Sequence, residues 1–283
     1  RITTIKEFMD NKFPLKNLQY LGVTCNDRFY KDDGKKKGLD TKYSRWFNLT
    51  SISANIIDPS SPYKVKYDIF RRINTGGRPL NNQEIRNCLT GKGLRSALKE
   101  MTSLKEFKSA TDKSIKSTRM EDQEIALRFL YFYSLYEEHE NIDDYNGYME
   151  ATLDEYTEKN IKASKPSFDK YILLFRNAMI NSEYLIGKKY AFRKIKIKDI
   201  QPNSYKQLIN KALFVCTSVL LAKYDPVNIK NLNDKDFLTD IIARRIENNK
   251  ELFYYLSYGT NGKANLLYTF KELQEIIEHN ITY

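Results

Sequence analysis

The sequence predicts an α+β protein, with a mixed first part over residues 1–101 and a mostly α-helical part over 102–283. In the first part, apolar side chains at Ile52, Ala54 and Ile56 alternate with other residues, which predicts a strand. Turn signals lie around this strand in KDDGKKKG, DPSSP and NTGG, as expected where helices and strands are mixed. In the second part, apolar residues recur at helical spacing almost throughout.

The helical part has recognisable starts and ends. Thr118 followed by Glu121 predicts a capping box that opens RMEDQEIALRFLYFYSLYEEH. The segment FDKYILLFRNAMINSEYLIG is predicted to end at Gly187, because glycine is favoured just after a helix. Three more amphipathic segments follow, NSYKQLINKALFVCTSVLLAKY, DKDFLTDIIARRIENN and KANLLYTFKELQEII. The nearly apolar run 212–222 is about half as long as a membrane-spanning helix, so it predicts a buried helix and no membrane partner.

The charge balance favours a polyanionic partner. Among 283 residues, 47 Lys and Arg outnumber 36 Asp and Glu, which gives a net charge of +11. Nucleic acid or a phosphorylated ligand suits this balance, although solvated helix faces also carry many of the charges. The loop KDDGKKKG is either a solvated hairpin or disordered insert, or a basic contact that binds nucleic acid through its charge. The cysteines Cys25, Cys88 and Cys216 have no CxxC spacing, which favours a reducing cytoplasm over a disulfide framework.

The stretch YDIFRRINTGGRPLNNQEIRNCLTG is the least ordinary in the chain. Val65, Ile69 and Ile73 recur at helical spacing, so residues 63–73 are predicted to form a helix. The Asn and Gly residues of 74–77 accept positive φ, which lets the chain reverse while it turns successive N–H groups to one side. Such a nest binds anions, and its alternative role is simply to turn the chain between two helices.

The helix after this turn has a well-marked start. Asn81 is its predicted N-cap, with Glu84 as the reciprocal partner in a capping box. Four arginines flank the turn and the helix: Arg71, Arg72, Arg78 and Arg86. Together with the helix N-terminus they concentrate positive potential where a phosphate can bind. The usual phosphate loops, GxxxxGK[ST] and a strand-linked GxGxxG, are absent from the sequence, so a nucleotide site must be of another kind.

Other residues have both a structural and a functional interpretation. Arg128 lies in an apolar stretch, where Glu124 predicts an ion pair and a second-layer contact to the nucleotide site is the alternative. The aromatic run FLYFYSLY favours a core position over a base-stacking platform. Cys88 is predicted to pack in the core. The segment FRKIKIKD predicts an edge strand, whose lysines either guide DNA or prevent aggregation.

The residue inventory shows no nuclease centre in this chain. An HNH nuclease needs histidine as general base and further histidine or carboxylate ligands around a metal. The two histidines, His139 and His279, are predicted to be surface residues near helix ends. Any nuclease activity is therefore expected from another domain or chain.

Two motifs resemble a known family. The segment IFRRINTGGRPLNNQEIRN resembles the F-x-R-I-N-T-G-G-x-x-L-x-x-x-E-I signature of the GmrSD restriction endonuclease N-terminal domain family, whose fold is similar to that of ParB and sulfiredoxin. The opening RITTI resembles the end of the family's Asp-Gly-Gln-Gln-Arg-hydrophobic-Thr-Thr motif, of which Arg1 and the following residues are present. We therefore expect the numbered sequence to begin inside a longer native protein, in which the rest of that motif precedes Arg1; the alternative is a copy that lacks the rest of the motif and has lost activity.

The segment RMEDQEIALRFLYF is similar to the helical half of the same family. Its matching charged residues are Arg119, Asp122, Glu124 and Arg128. The resemblance thus covers most of the chain, and it implies a truncated ParB/sulfiredoxin-like nucleotide-binding domain over 1–101 and a helical domain over 102–283.

The resemblance also implies a function: a nucleotide-binding, NTP-hydrolysing regulatory module of a bacterial anti-phage restriction system, acting on DNA through a nuclease partner or domain. Its cofactor would be a nucleoside triphosphate with Mg²⁺, for which the sequence names no protein ligand. The implied nucleotide-binding residues are Arg1, Thr3, Arg72, Asn74, Thr75, Gly76 and Gly77. The implied second layer is Arg78, Glu84, Asp122 and Arg128. The alternative function is a non-catalytic, basic DNA-binding or scaffold subunit of a defence complex, and a free-standing ParB-like nuclease is disfavoured by the scarcity of general bases.

Overall fold

The chain is all-α in the part that its computed structural model describes, which comprises residues 2–54, 56–58, 60–73, 79–201 and 203–283. Helices make up 62% of the structure. Among the described residues there is no β-strand, and the pairing is limited to two isolated bridges, Phe29 with Gly38 and Arg193 with Ile209. The predicted α+β class, with its ParB/sulfiredoxin-like mixed domain, is therefore wrong.

The predicted strand around Ile52 is absent. Residues 51–54 and 56–58 have no regular secondary structure, and Ile56 is 91% exposed. An isolated strand leaves its backbone N–H and C=O groups without partners, and the described residues supply no neighbouring strand to pair with it. Alternation of apolar residues over so short a stretch was not sufficient to specify a sheet.

The chain divides into two compact units, Arg1–Pro59 and Ser60–Tyr283. The described residues of the first unit form three helices, α1 (Ile2–Met9), α2 (Gly22–Cys25) and α3 (Thr41–Leu49). Its core is aromatic, because the ring of Phe8 lies 5.9 Å from those of Phe13 and Tyr30 and 5.5 Å from that of Phe47.

The KDDGKKKG loop of the first unit is an exposed, ordered turn. The Asp33 carboxylate accepts a hydrogen bond from the Lys36 N–H at 2.7 Å, and the Asp32 carboxylate accepts one from the Gly34 N–H at 2.9 Å. The Lys36 ammonium donates to the Asn11 carbonyl at 3.1 Å. This geometry agrees with a solvated hairpin.

The second unit contains the remaining helices: α4 (Tyr63–Ile73), α5 (Asn82–Leu89), α6 (Lys92–Ser103), α7 (Lys105–Ala110), α8 (Glu121–His139), α9 (Met149–Lys159), α10 (Asp169–Ile186), α11 (Lys211–Leu221), α12 (Pro226–Leu232), α13 (Phe237–Asn248), α14 (Lys250–Tyr255) and α15 (Lys263–Asn280). Short 3₁₀ turns cover Thr118–Met120, Lys165–Phe168 and Ile197–Ile200. The compact units divide after residue 59, whereas the predicted domain boundary lies at 101, so α4, α5 and α6 belong to the larger unit.

Helix α11 lies at the centre of this unit and packs against α8, α10 and α15. Every residue from Ala212 to Ala222 is buried, as predicted for the apolar run. Among the described residues no single helix is long and apolar enough to cross a bilayer, and only α11 together with α12 reaches that length and composition, across a bend of 91°.

Several predicted features of the helical part are confirmed. Helix α10 ends at Ile186, followed by Gly187 with a φ of 82°. The aromatic run of α8 is in the core, where Phe129, Leu130 and Phe132 are fully buried. His139 and His279 are exposed in the last turns of α8 and α15.

Two other predictions about the helices are wrong. Thr118 begins a 3₁₀ turn and not α8, and Met120, which precedes α8, has a φ of 59° and makes no side-chain cap. The predicted capping box between Thr118 and Glu121 is therefore absent, because the chain reverses through two left-handed residues before the helix starts.

The prediction that Cys88 packs in the core is the second wrong one. Cys88 is exposed, since it lies on the side of α5 that faces away from the core.

The predicted edge strand FRKIKIKD is a single extended segment that packs on helices. Arg193 forms one bridge with Ile209, and a 3₁₀ turn begins at Ile197. The alternation is nevertheless real, because Ile195 is buried while Lys194 and Lys196 lie over the ring of Phe253 on α14, at 4.3 and 4.2 Å. A helix and not a second strand therefore lies beside this segment.

Helix α6 approaches the chain after α9 so closely that only glycine fits at one position. A Cβ atom at Gly93 would lie 2.1 Å from the carbonyl oxygen of Ala163 and 2.7 Å from the carbonyl carbon of Ser164. Both neighbours are backbone atoms, which cannot rotate away. Gly93 therefore sets the distance between α6 and the 3₁₀ turn Lys165–Phe168.

The substitution Gly93→Ala is expected to lower the free energy of unfolding by at least about 1–3 kcal/mol, because the added methyl group forces the two backbones apart. Urea unfolding followed by circular dichroism measures this loss. Ser96→Ala, on the exposed side of α6, is the control and should stay within about 0.5 kcal/mol of the wild type. Equal stability of the two variants would contradict the close approach.

Candidate functional site

The candidate site lies between α4 and α5. Helix α4 ends at Ile73, and α5 begins at Asn82. The predicted loop residues Asn74, Thr75, Gly76, Gly77 and Arg78 lie outside the described residues, as does Arg1. The expected contact between Arg1 and the loop therefore stays a prediction. The described part of the site consists of the residues before and after the loop.

The start of α5 is fixed by the predicted capping box. The Asn81 side chain accepts a hydrogen bond from the Glu84 N–H at 2.8 Å, and the Glu84 carboxylate accepts one from the Asn81 N–H at 2.7 Å. The N–H groups of Asn82 and Gln83 form no hydrogen bond among the described residues. These two N–H groups point out of the first turn and are the ones that an anion could use.

A second set of contacts, the Arg119 clip, joins the start of α5 to the turn before α8. The Arg119 guanidinium donates to the Glu84 carboxylate at 2.8 Å and to the Pro79 carbonyl at 2.6 Å. The Asn81 side chain donates in return to the Arg119 carbonyl at 2.8 Å. Arg119 has a φ of 63°, so this geometry holds a non-glycine residue in the left-handed region.

The predicted role of Arg86 as a source of free positive charge is wrong. Its side chain is fully buried, donates to the Asp154 carboxylate at 2.6 Å and forms a second ion pair with Glu150. Burial alone would lower the pKa of Arg86, but the charges of Asp154 and Glu150 outweigh that effect and raise it. Arg86 thus stays protonated and its charge is neutralised by α9, which the local sequence around the turn could not indicate.

Two tyrosines of α4 reach the same ion pair. Tyr67 is hydrogen-bonded to the Asp154 carboxylate, and burial followed by the negative charge of Asp154 raises its pKa. The Tyr63 hydroxyl is buried and has no hydrogen-bond partner among the described residues. Asp154 therefore connects α4, α5 and α9. The spacing of Glu150 and Asp154, four residues apart on a helix, was the signal in the sequence that a cation faces α9.

Arg72 and its neighbour Arg71 have the opposite environment. Both are exposed in the last turn of α4, and neither forms an ion pair with a described carboxylate. Among the described arginines that were predicted to flank the loop, Arg71 and Arg72 are therefore the two whose positive charge is not neutralised by a carboxylate. Thr3 is exposed on α1 in the first unit.

The predicted ion pair of Arg128 is confirmed. Its guanidinium donates to the Glu124 carboxylate at 2.7 Å and to the Asn261 side chain at 2.8 Å. The Lys211 ammonium donates to the same Glu124 oxygen at 3.0 Å. These contacts lie at the start of α11, so they support a structural role for Arg128.

Asp122 is also buried, and its carboxylate accepts a hydrogen bond from the Gln123 N–H at 2.9 Å. Burial raises the pKa of Asp122 above its ordinary value. The structure joins Glu84 to Arg119 and Glu124 to Arg128, but it places no described hydrogen bond between Asp122 and either pair. The described residues contain no group of three or more His, Cys, Asp or Glu side chains that could hold a metal ion.

Comparisons with protein-family models, curated proteins and solved structures found no match to this chain.

Removal of the Arg119 side chain is expected to loosen the start of α5. Arg119→Ala deletes two charge-assisted hydrogen bonds, which corresponds to about 1–3 kcal/mol of folding stability. Hydrogen exchange of the α5 amides, together with urea unfolding, measures the local and the global effect. Arg244→Ala removes an ion pair with Asp240 in which both side chains are more than half exposed, and it should cost less than about 1 kcal/mol. Unchanged exchange in α5 would show that the clip does not hold the helix.

Replacement of Glu124 is expected to make folding less sensitive to acid. Burial raises the pKa of Glu124, but Arg128 and Lys211 outweigh it and hold the pKa below its ordinary value. A carboxylate of this kind contributes stability that is complete above its unfolded pKa of about 4.3 and is lost as the pH falls through the lower, folded value. Glu124→Gln should be less stable than the wild type near neutral pH, and its stability should fall less steeply with acid.

Urea unfolding at a series of pH values between about 7 and 3 measures this difference in slope. Glu121→Gln, on the exposed side of the same helix, is the matched control and should keep the wild-type slope. Parallel pH profiles for the wild type and Glu124→Gln would rule out a stabilising role for the Glu124 charge.

Proposed function

We propose that this chain is a nucleotide-binding regulatory module that holds the phosphates of a nucleoside triphosphate between α4 and α5. The observation that carries the proposal is the sequence FRRINTGG, which begins in the last turn of α4 with two free arginines and precedes α5, a helix whose start is fixed. The free N–H groups of Asn82 and Gln83 support it, because a helix N-terminus attracts anions. The proposal depends on the resemblance of these motifs to the GmrSD N-terminal family, and it does not require a ParB-like fold.

Hydrolysis of the nucleotide is the second part of the proposal. Phosphoryl transfer depends mainly on positioning and on neutralising the charge of the phosphoryl oxygens, which arginines, backbone N–H groups and Mg²⁺ can supply. Among the described residues, Arg72 belongs to the predicted nucleotide-binding set, lies directly before the loop and has a free charge. The module would act in the cytoplasm of a bacterium, where hydrolysis regulates a nuclease domain or partner that cuts DNA during anti-phage restriction.

A second function is favoured by a specific observation elsewhere in the chain. Lys194 and Lys196 are unpaired with carboxylates among the described residues and lie over the ring of Phe253, which precedes the exposed Tyr254 in the sequence. A non-catalytic DNA-binding or scaffold subunit would use such a basic surface without a nucleotide. Binding to a phosphate backbone weakens steeply with salt, whereas binding in a nucleotide pocket depends on it much less.

Thermal unfolding with ATP, GTP, CTP and UTP, each with Mg²⁺, tests the nucleotide proposal. We expect one nucleotide to raise the melting temperature, since a ligand at 100 times its Kd adds about 2.7 kcal/mol to stability. Asn74→Ala and Arg72→Gln should each abolish most of the increase. Arg45→Gln, which replaces another exposed arginine, should leave it intact. No response to any nucleotide would reject the proposal.

A further inference from the structure

Two lysine side chains meet at one aromatic ring on the surface of the second unit. The ammonium groups of Lys194 and Lys196 lie 4.3 and 4.2 Å from the centroid of the Phe253 ring. The Lys194 ammonium also donates a hydrogen bond to the Ser257 hydroxyl at 2.7 Å. Phe253 and Ser257 are four residues apart, so they lie on one face of α14 and the turn after it. Both lysine ammonium groups contact this face.

Two exposed tyrosines are the next residues in the sequence after Phe253 and Ser257. Tyr254 and Tyr258 are 57% and 64% exposed, and their ring centroids are 5.2 Å apart. The Tyr258 N–H donates to the Tyr254 carbonyl at 2.9 Å, which fixes the two residues one helical turn apart. Large aromatic rings so exposed have lost little water on folding, and they are free to stack on a flat partner.

The electrostatics favour an anion next to the rings. Neither Lys194 nor Lys196 forms an ion pair with a described carboxylate, and burial followed by the charge of Lys196 lowers the pKa of Lys194. The acids of the same segments already accept hydrogen bonds, and Asp199 accepts one from the Lys196 N–H at 2.9 Å. Glu247 accepts a hydrogen bond from the Ile197 N–H at 3.3 Å, and Glu251 is hydrogen-bonded to the Tyr255 hydroxyl. A phosphate between the two ammonium groups would relieve their mutual repulsion.

The backbone below this surface is held by the core. The Asn210 side chain donates to the Leu256 carbonyl at 2.8 Å while it caps the start of α11. Leu256 is buried, and it lies between Tyr255 and Ser257 in the sequence. The turn that carries the exposed tyrosines is thus rigidly attached, and a ligand would not need to order it.

We propose that Lys194, Lys196, Tyr254 and Tyr258 form a binding surface for single-stranded nucleic acid, with bases stacked on the tyrosines and a phosphate held by the lysines. Duplex nucleic acid fits less well, because its bases are already stacked on one another and cannot reach the rings. This tyrosine–lysine surface deepens the proposal of a nucleic-acid partner, but it does not depend on the loop between α4 and α5.

Fluorescence anisotropy with a labelled oligothymidylate of about 15 nucleotides tests the surface directly. The double variant Tyr254→Ala/Tyr258→Ala is expected to bind at least about tenfold more weakly, because each stacked base contributes substantially to affinity. Tyr254→Phe/Tyr258→Phe keeps the rings and should retain binding. A matched control is Tyr20→Ala, which removes a tyrosine that is 95% exposed and belongs to the first unit.

The lysines are tested by the salt dependence of the same binding. Each phosphate contact to a single strand contributes about 0.7 to the slope of log K against log salt, so Lys194→Gln/Lys196→Gln, which removes the one phosphate contact that the two lysines share, should reduce the slope by about 0.7. Lys99→Gln/Lys235→Gln replaces two other exposed lysines and should leave the slope nearly unchanged. An oligouridylate run in parallel distinguishes RNA from DNA as the preferred strand.

Three results would overturn this proposal: no binding of either single strand, tighter binding of the matching duplex, or equal loss of affinity in the tyrosine and control variants. Melting curves of all variants show whether the fold is retained, and the lysine variants give an independent measurement if the alanine variants are unstable. The nucleotide response should be unchanged in Tyr254→Ala/Tyr258→Ala. A failed nucleotide panel with intact strand binding would reject the nucleotide proposal alone.

Discussion

Burial of α11 on every side is the constraint on which the second unit depends. A helix that is apolar all round must be covered in all directions, and here α8, α10 and α15 provide the cover. The polar groups at its N-terminal end then need partners of their own. Asn210 caps the first turn and binds the Leu256 carbonyl, while Lys211 shares the Glu124 carboxylate with Arg128. The start of one core helix thus fixes both the turn that carries the exposed tyrosines and the charged residues of α8.

In the part of the chain that the structure describes, three buried arginines attach the outer segments to this core, each in a different way. Arg86 is paired with two carboxylates of α9, and Arg128 is paired with one carboxylate in the preceding turn of its own helix. Arg193 has no carboxylate within ion-pair distance among the described residues. Its guanidinium donates instead to the Gln207, Ala191 and Thr111 carbonyls and to the Ser114 hydroxyl.

These differences have an electrostatic consequence. Burial lowers the pKa of Arg193, whereas the two carboxylates raise that of Arg86. A buried charge without a counter-ion is tolerated when several oriented carbonyl groups replace its hydration, although each of them must be held in place by the fold. Arg193 therefore links the segment after α10 to the end of α7 through geometry and not through charge pairing.

Local patterns predicted the helices but not their neighbours. The capping box at Asn81, the end of α10 at Gly187 and the ion pair between Glu124 and Arg128 each depend on residues a few positions apart, and the structure confirms them. The pairing of Arg86 with Asp154 spans 68 positions, so the residues around Arg86 could not identify its partner. For FRKIKIKD, the predicted alternation of buried and exposed side chains was correct, but the predicted neighbouring strand was wrong. The sequence does not show whether a helix or a strand covers the apolar side.

The described part of the candidate site therefore differs in character from the one the sequence indicates. Arg86 is neutralised by α9, and Arg119 is committed to Glu84 and the Pro79 carbonyl. Less free positive charge remains near the loop than four neighbouring arginines would give. The start of α5, in contrast, is already held by the capping box and by the Arg119 clip before any ligand arrives. A phosphate bound there would gain from N–H groups that need no ordering, and its affinity would depend more on this preorganised geometry than on net charge.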